Sequence, residues 1–242
     1  MDGITLVAVQ SDPIIEGLIR AVWLLLTLDP EVYSTMLLTF KVSGVAVIIA
    51  TASGIPLGAA IALRDFFGKR SLISLVNTLM GLPPVVVGLF VYLLLSASGP
   101  LGPLQLLYTP TAMIIAQLII GAPIVVGVTI SAVGSVDKAI RDKAISLGAT
   151  RLQLTLTILR EAKTGILTSI ILAFGAAISE VGAVMIVGGN IRWVTRVLTT
   201  AIVFETELGQ FSIAIALGII LLLIAFIINW VLTRMQWSGL RR

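Results

Sequence analysis

The chain has 242 residues, of which 58% are hydrophobic and only 12% are charged. Soluble globular domains carry about a quarter charged residues, so this composition excludes an ordinary water-soluble domain and requires a membrane. The net charge is only +4 and the basic residues do not cluster with aromatic ones, so nucleic acid is not an expected partner. The chain has no Cys and no His, which excludes thiol chemistry, disulfides and the usual zinc or haem ligands.

The first apolar run, residues 14–28, is short and carries Glu16 and Arg20. A helix needs about 20 apolar residues to cross the hydrocarbon core of a bilayer. We interpret this run as an interfacial amphipathic helix. A sixth spanning helix is the alternative that the sequence leaves open.

Five later stretches are long and apolar enough to span. They cover residues 35–63, 71–95, 110–134, 164–187 and 211–233. Helices are expected because lipid cannot satisfy free backbone groups. The sequence therefore predicts an all-α membrane protein, one domain over residues 1–242, with five spanning helices and an N-terminal interfacial helix. Gly54-x-x-x-Gly58 predicts a close helix–helix contact, and the Pro83-Pro84 pair predicts either packing or a functional kink.

The basic residues are distributed unevenly between the two sides of this arrangement. Twelve of the 16 Lys and Arg residues follow the first, third and fifth spans. They are Arg64, Lys69, Arg70, Lys138, Arg141, Lys143, Arg151, Arg160, Lys163, Arg234, Arg241 and Arg242. Because cytoplasmic loops are rich in Lys and Arg, this side is predicted to be cytoplasmic, with the N-terminus outside and the C-terminus inside the cell. The chain is therefore predicted to be a multi-pass protein of the cell membrane, in contact with lipid.

A polar loop, residues 135–163, joins the third and fourth spans. Lys138 to Leu147 contains neither Pro nor Gly and is predicted to be helical. Gly148 follows, where a helix end often needs the backbone freedom of Gly. The loop is thus predicted to hold two short helices joined at Gly148. It is either a docking surface for a soluble partner or a basic loop that rests on anionic headgroups.

A second polar segment follows the fourth span. It contains Asn190, Arg192, Thr195, Arg196 and Thr199 within ten residues. Arg supplies a fixed charge for an anion, and Asn and Thr supply neutral donors. The alternative is a surface helix whose Arg side chains pair with acidic neighbours such as Glu205 and Glu207.

Glu180 is the only acidic residue well inside a predicted span. An ionised carboxylate in hydrocarbon is costly, so it should face protein or water, and it could be protonated. We favour a structural or gating role. The alternative is a proton or cation site of an ion-coupled secondary transporter, which would place the protein in a different functional class.

The spacing of the polar loop resembles the EAA loop of the membrane subunits of ATP-binding-cassette (ABC) importers. The pattern is Glu-Ala-Ala, three residues, Gly, nine residues and Ile-x-Leu-Pro; Ala144, Gly148 and Ile158 match it. Asp142 replaces the Glu, Lys143 the first Ala, and Arg160-Glu161 the Leu-Pro. The resemblance implies that this loop docks on an ATP-binding subunit. The residues it assigns to coupling are Arg141, Asp142, Lys143, Ala144, Leu147, Gly148 and Ile158.

The second polar segment is similar to one in tungstate-type ABC permeases, relatives of the molybdate and sulfate permeases. The similar residues are Gly188-Gly189-Asn190-Ile191, Thr195-Arg196, Thr199-Thr200 and Glu205-Thr206. In that group Ile158-Leu-Arg-Glu161-Ala162 also replaces the commoner loop ending. The resemblance implies an oxyanion path formed by Asn190, Arg192, Thr195, Arg196, Thr199 and Glu180.

The resemblance further implies a type I ABC importer permease that acts as a symmetric pair. Its partners would be a second copy of the chain, two ATP-binding subunits and an extracytoplasmic oxyanion-binding protein. Tungstate is the expected cargo, with molybdate or sulfate as the alternative. The sequence has no G-x-x-x-x-G-K-[ST] loop, so the chain is expected to bind no cofactor and to be no enzyme, while ATP-Mg lies on the partner subunit. We find no cluster of side chains typical of an integral-membrane enzyme.

Overall fold

A computed structural model describes residues 13–240, without the side chains of residues 237–240, and this part of the chain contains eleven α-helices. They are α1 (Pro13–Leu26), α2 (Pro30–Leu63), α3 (Lys69–Met80), α4 (Pro84–Leu95), α5 (Pro110–Gly134), α6 (Lys138–Ser146), α7 (Arg151–Glu161), α8 (Lys163–Ile178), α9 (Gly182–Gly188), α10 (Leu198–Glu207) and α11 (Phe211–Leu240). Arg241 and Arg242, which we assigned to the cytoplasmic side, lie outside the described residues.

Three of these helices are individually long and apolar enough to cross a membrane: Pro30–Leu63, Pro110–Gly134 and Phe211–Gln236. Two further pairs meet the same criterion only if each pair is taken together, namely α3 with α4, bent by 95°, and α7 with α8, bent by 67°. By length and composition, the described residues therefore provide three to five spans.

Two of the predicted spans are each divided into two helices. The range 71–95 is divided between α3 and α4, because Pro84 begins α4 and the extended Pro83 cannot continue α3. The range 164–187 is divided between α8 and α9 by a break at residues 179–181. No Pro marks this second break.

The helix α1 forms where the interfacial helix was expected. Its buried residues, Gly17, Ala21 and Leu24, face α11. The contact at Gly17 is close, because a Cβ atom there would lie 2.5 Å from Cγ2 of Ile215. At 14 residues, α1 is about 21 Å long, shorter than the hydrocarbon core of about 30 Å. Its interfacial position remains a prediction.

The centre of the fold is the packing of α5 between α2 and α8. A Cβ atom at Gly54 would lie 2.8 Å from Cγ1 of Val125, and one at Gly58 would lie 2.8 Å from Cβ of Thr129. The predicted helix contact at Gly54-x-x-x-Gly58 is confirmed, and its partner is α5. On the other side of α5, α4 packs closely on α9, since a Cβ at Gly88 would lie 2.6 Å from Cα of Ala183.

Candidate functional site

The loop between α9 and α10 is shaped by local backbone constraints. Gly189 ends α9 with a φ of 71°, and Asn190 follows with a φ of 50°. The buried hydroxyl of Thr195 donates to the carbonyl of Gly188 at 2.6 Å and accepts from the amide of Ile191 at 2.9 Å. Thr195 therefore closes the loop on itself.

This loop holds two arginines against the first turn of α2. Arg192 donates two hydrogen bonds to the carboxylate of Glu31, one from Nε to Oε1 at 2.8 Å and one from Nη2 to Oε2. Arg196 donates from Nη1 to Oε1 of the same residue at 3.3 Å. The bonds to Glu31, followed by its negative charge, raise the pKa of the Arg192 guanidinium, which stays charged. Glu31 therefore joins α2 to both arginines, a partner other than the predicted Glu205 and Glu207.

Arg196 is the more buried of the two arginines. Its side chain is 12% exposed against 59% for Arg192. The guanidinium carbon lies 4.6 Å from the centroid of the Phe204 ring, a cation–π arrangement. Among the residues that the structure describes, neither the buried Nε atom of Arg196 nor the buried Oδ1 of Asn190 has a hydrogen-bond partner. Arg196 thus keeps an unused donor beside Glu31.

Arg196 lies between two clefts of different charge. One cleft, of about 170 Å³, has three carboxylates in its lining, those of Asp29, Glu31 and Glu205. The other, of about 290 Å³, is lined by no carboxylate of the described residues. We call it the basic cleft, and its lining consists of Ser34, Thr35, Leu37, Leu38, Lys41, Trp193 and Arg196.

Lys41 of the basic cleft was missed by sequence reasoning. The signal was present, since Lys41 is the only Lys or Arg within the five predicted spans. Charged residues inside spans are rare and mark functional sites by default. What the sequence could not provide was the register that brings Lys41 to the same cleft as Arg196.

The predicted oxyanion residues are not all in one place. Among them, only Arg196 lines the basic cleft. Arg192 is exposed and paired with Glu31, while Thr195 is buried within its own loop. Thr199 and Glu180 belong to a second polar group at the break between α8 and α9.

Side chains of this second group form hydrogen bonds with backbone atoms at the break and on both sides of it. Oε1 of Glu180 accepts from the amide of Ala183 at 2.9 Å, and Thr199 donates to the carbonyl of Glu180 at 2.9 Å. The carbonyl of Ala177 accepts from Nε2 of Gln117 at 2.9 Å and from Oγ of Ser43 at 3.3 Å. Side chains from α2, α5, α8–α9 and α10 therefore stabilise the break together.

Near the C-terminal end of α2, where Ile158 packs against Ala59, the polar loop forms two short helices as predicted. Asp137 caps α6 by accepting from the amide of Ala139 at 2.8 Å. Gly148 has a φ of 76°, and its amide donates to the carbonyl of Ile145 at 2.9 Å. A capping box of Thr150 and Gln153 then begins α7. The predicted helical hairpin at Gly148 is confirmed.

The hairpin leaves its first helix uncovered. No residue of α6 is buried, and Leu147 directly after it is 78% exposed. Ile145 is 55% exposed and Arg141, Asp142 and Lys143 lie on the same short segment. Ile158 differs, because it is fully buried in a cluster with Ala59 and Val133. The predicted coupling residues therefore divide into a surface on α6 and an anchor on α7.

Residues 54–236 match the family described as binding-protein-dependent transport system inner membrane component. The chain belongs to this family. It is a multi-pass membrane permease subunit of an ABC importer, and not the catalytic ATPase. Members of the family work with an ATP-binding subunit and a substrate-binding protein.

Two relatives and one solved structure illustrate the similarity. The tungstate uptake system permease protein TupB of Peptoclostridium acidaminophilum is 45% identical over 92% of this chain and 98% of its own length. A probable anion ABC transporter permease of Haloferax volcanii is 48% identical over 78% of this chain and 83% of its own. The transmembrane part of a bacterial alginate ABC importer shares the fold, with a TM-score of 0.69, 20% identity and coverage of 85% of this chain and 79% of that one.

Proposed function

We propose that this chain is the permease of an ATP-driven importer of tetrahedral oxyanions and that tungstate is its cargo. The observation that carries the proposal is the 45% identity to a permease named for tungstate uptake, over 98% of that protein. The basic cleft with Lys41 and Arg196 supports the same class of cargo, because its charge suits a dianion. Molybdate, with the same shape and charge, is the alternative cargo.

The coupling to ATP would pass through α6. The exposed Ile145 and Leu147 beside Arg141, Asp142 and Lys143 offer an apolar centre with a charged rim, which suits a protein partner. Ile158 would pass the motion of this surface to α2 and α5, because its buried cluster includes Ala59 of α2 and Val133 of α5. An ion-coupled transporter that uses Glu180 is less well supported, since an oxygen of that carboxylate already caps α9.

The working unit would be a symmetric pair of chains with the N-terminus outside the cell. The 16 basic residues support this orientation, since 12 of them follow the first, third and fifth predicted spans. The basic cleft and Glu31 would then lie toward the outside, where a binding protein delivers the anion. The α6 surface would lie in the cytoplasm, where the ATP-binding subunit is found.

The experiment is a purification of the permease with its ATP-binding partner, followed by an ATP hydrolysis assay. We expect the two proteins to copurify and hydrolysis to rise when the tungstate-loaded binding protein is added. Ile145→Asp on α6 combined with Leu147→Asp directly after it should abolish copurification. The control is Leu208→Asp, at another exposed leucine, which should leave copurification intact. A permease that transports tungstate without the ATP-binding partner would overturn the proposal and support a secondary transporter.

A further inference from the structure

Lys41 and Arg196 line the same basic cleft, and no carboxylate of the described residues lines it with them. Lys41 comes from α2 and Arg196 from the loop after α9, and Ser34 and Thr35 of α2 also line the cleft. Two positive charges that face one space repel each other, and the repulsion is stronger where the dielectric constant is low. An anion in the cleft would reduce this repulsion, which Glu31 offsets only on the side of Arg196.

The position of Lys41 along α2 is a further reason to expect an anion beside it. Lys41 lies 11 residues after Pro30, which is about 16 Å along α2 at 1.5 Å per residue. In the described part of the chain, the amino group of Lys41 forms no ion pair and no hydrogen bond. Its neighbours on the same exposed face of α2 are apolar, among them Leu37 and Val45. A charged side chain at this depth is expected to face a water-filled cavity or protein and to pair with an opposite charge.

Arg196 has a partner that it can leave. Its bond to Glu31 is 3.3 Å long, while Arg192 binds both oxygens of the same carboxylate. Glu31 would remain paired with Arg192 if Arg196 turned away. Within the described ranges, the buried Nε of Arg196 has no hydrogen-bond partner that such a movement would break. Glu31 is thus an ion-pair partner of Arg196 that another anion can displace.

We propose that Lys41 and Arg196 form a subsite for a divalent tetrahedral oxyanion, and that Glu31 holds Arg196 while the subsite is empty. The lysine supplies a compact charge and the arginine a planar pair of donors. This inference rests on the proposed function, since it assumes that the cargo is an oxyanion. It adds that Lys41 and Arg196 are the ligands of the anion and that Glu31 competes with the anion for Arg196.

The first test is equilibrium dialysis of the purified permease–ATPase complex against radioactive tungstate, without the binding protein. Lys41→Met should weaken binding by at least about tenfold, the effect of losing one charge-assisted bond. Glu31→Gln should strengthen binding, because it removes the competing charge. Arg20→Met is the matched control, since Arg20 lines the neighbouring acidic cleft, and it should bind like the parent protein.

The second test uses the absence of Cys from the chain. Lys41→Cys, assembled with cysteine-free partner proteins in proteoliposomes, should lose most tungstate uptake. A methanethiosulfonate reagent that adds an ammonium group should restore uptake, and one that adds a neutral methyl group should not. Lys41→Arg should keep most of the activity without any reagent.

The outcomes separate this inference from the proposed function. If the parent protein carries tungstate and Lys41→Met binds and transports it normally, the subsite is wrong and the importer stands. If Lys41→Cys is inactive and the ammonium reagent fails to restore it, Lys41 has a packing role and the subsite is also wrong. If Glu31→Gln binds tungstate as tightly as the parent protein or more weakly, Glu31 does not compete with the anion. If the parent carries no oxyanion, both proposals fall.

Discussion

The carboxylate of Glu180 accepts a hydrogen bond from the backbone amide of Ala183, with 2.9 Å between the two heavy atoms. This contact caps the short helix α9 directly after the break that Glu180 itself occupies. A capping side chain needs only an acceptor oxygen, whereas a proton carrier needs a carboxyl group that titrates.

Glu180→Gln should therefore retain most of the uptake activity, because the amide oxygen can accept the same bond. Glu180→Leu should lower the free energy of unfolding by about 0.5–2 kcal/mol, the usual effect of losing a cap. Thermal unfolding in detergent and uptake in proteoliposomes would measure the two effects. A Glu180→Gln protein that is stable but inactive would contradict the structural role and favour ion coupling.

Gly148→Val should uncouple ATP hydrolysis from transport while the protein still inserts in the membrane. The φ of 76° at Gly148 is the reason, since nothing lies within 4 Å of a Cβ atom there and the strain is in the backbone alone. A left-handed conformation costs an L-residue roughly 1–2 kcal/mol, and a β-branched residue tolerates it poorly.

The matched controls for this position are Gly148→Asn and Gly134→Ala. Asn tolerates the left-handed region and should retain more activity than Val. Gly134 also has open space around a built Cβ atom but an ordinary helical φ, so its replacement should be neutral. Equal uptake per ATP hydrolysed in Gly148→Val and the parent protein would remove Gly148 from the coupling surface.

Features that depend on local sequence could be predicted, whereas features that depend on contacts between distant parts of the chain could not. The α6–α7 hairpin could be predicted because its signals are local, namely a run without Pro or Gly from Lys138 to Leu147 and Gly148 directly after it. The break at residues 179–181 could not, because its support comes from Gln117 and Ser43, which are 60 and 134 residues away from Ala177 along the chain. The basic cleft was missed for the same reason, since it depends on the register between α2 and a distant loop.

Arg196→Gln should lower tungstate uptake about tenfold, and Arg196→Lys should lower it less, because Lys keeps the charge but loses the planar donors. Added salt should reduce the advantage of the parent protein if the charge draws the anion from solution. Arg192→Gln is the control, because Arg192 binds Glu31 as Arg196 does but does not line the basic cleft. If Arg192→Gln lowers uptake more than Arg196→Gln does, the pairing with Glu31 matters more than the direct role of Arg196 in the cleft.

Single cysteines should establish the orientation of the chain, which contains no Cys of its own. Ser98 follows α4 and Ser71 lies at the start of α3, and both are exposed. With the N-terminus outside, an impermeant thiol reagent should label Ser98→Cys in intact cells and Ser71→Cys only after lysis. The reverse pattern would place α6 outside the cell and exclude its contact with a cytoplasmic ATPase.

Uptake of trace radioactive tungstate tests the central claim most directly. Proteoliposomes would hold this permease with its ATP-binding subunit, with ATP inside and the binding protein outside. We expect tungstate to accumulate only with ATP. Its uptake should fall when molybdate is added and should hardly change with equimolar sulfate. Equal competition by sulfate would contradict tungstate as the cargo, and transport of an amino acid or a metal cation with no oxyanion uptake would contradict the oxyanion importer itself.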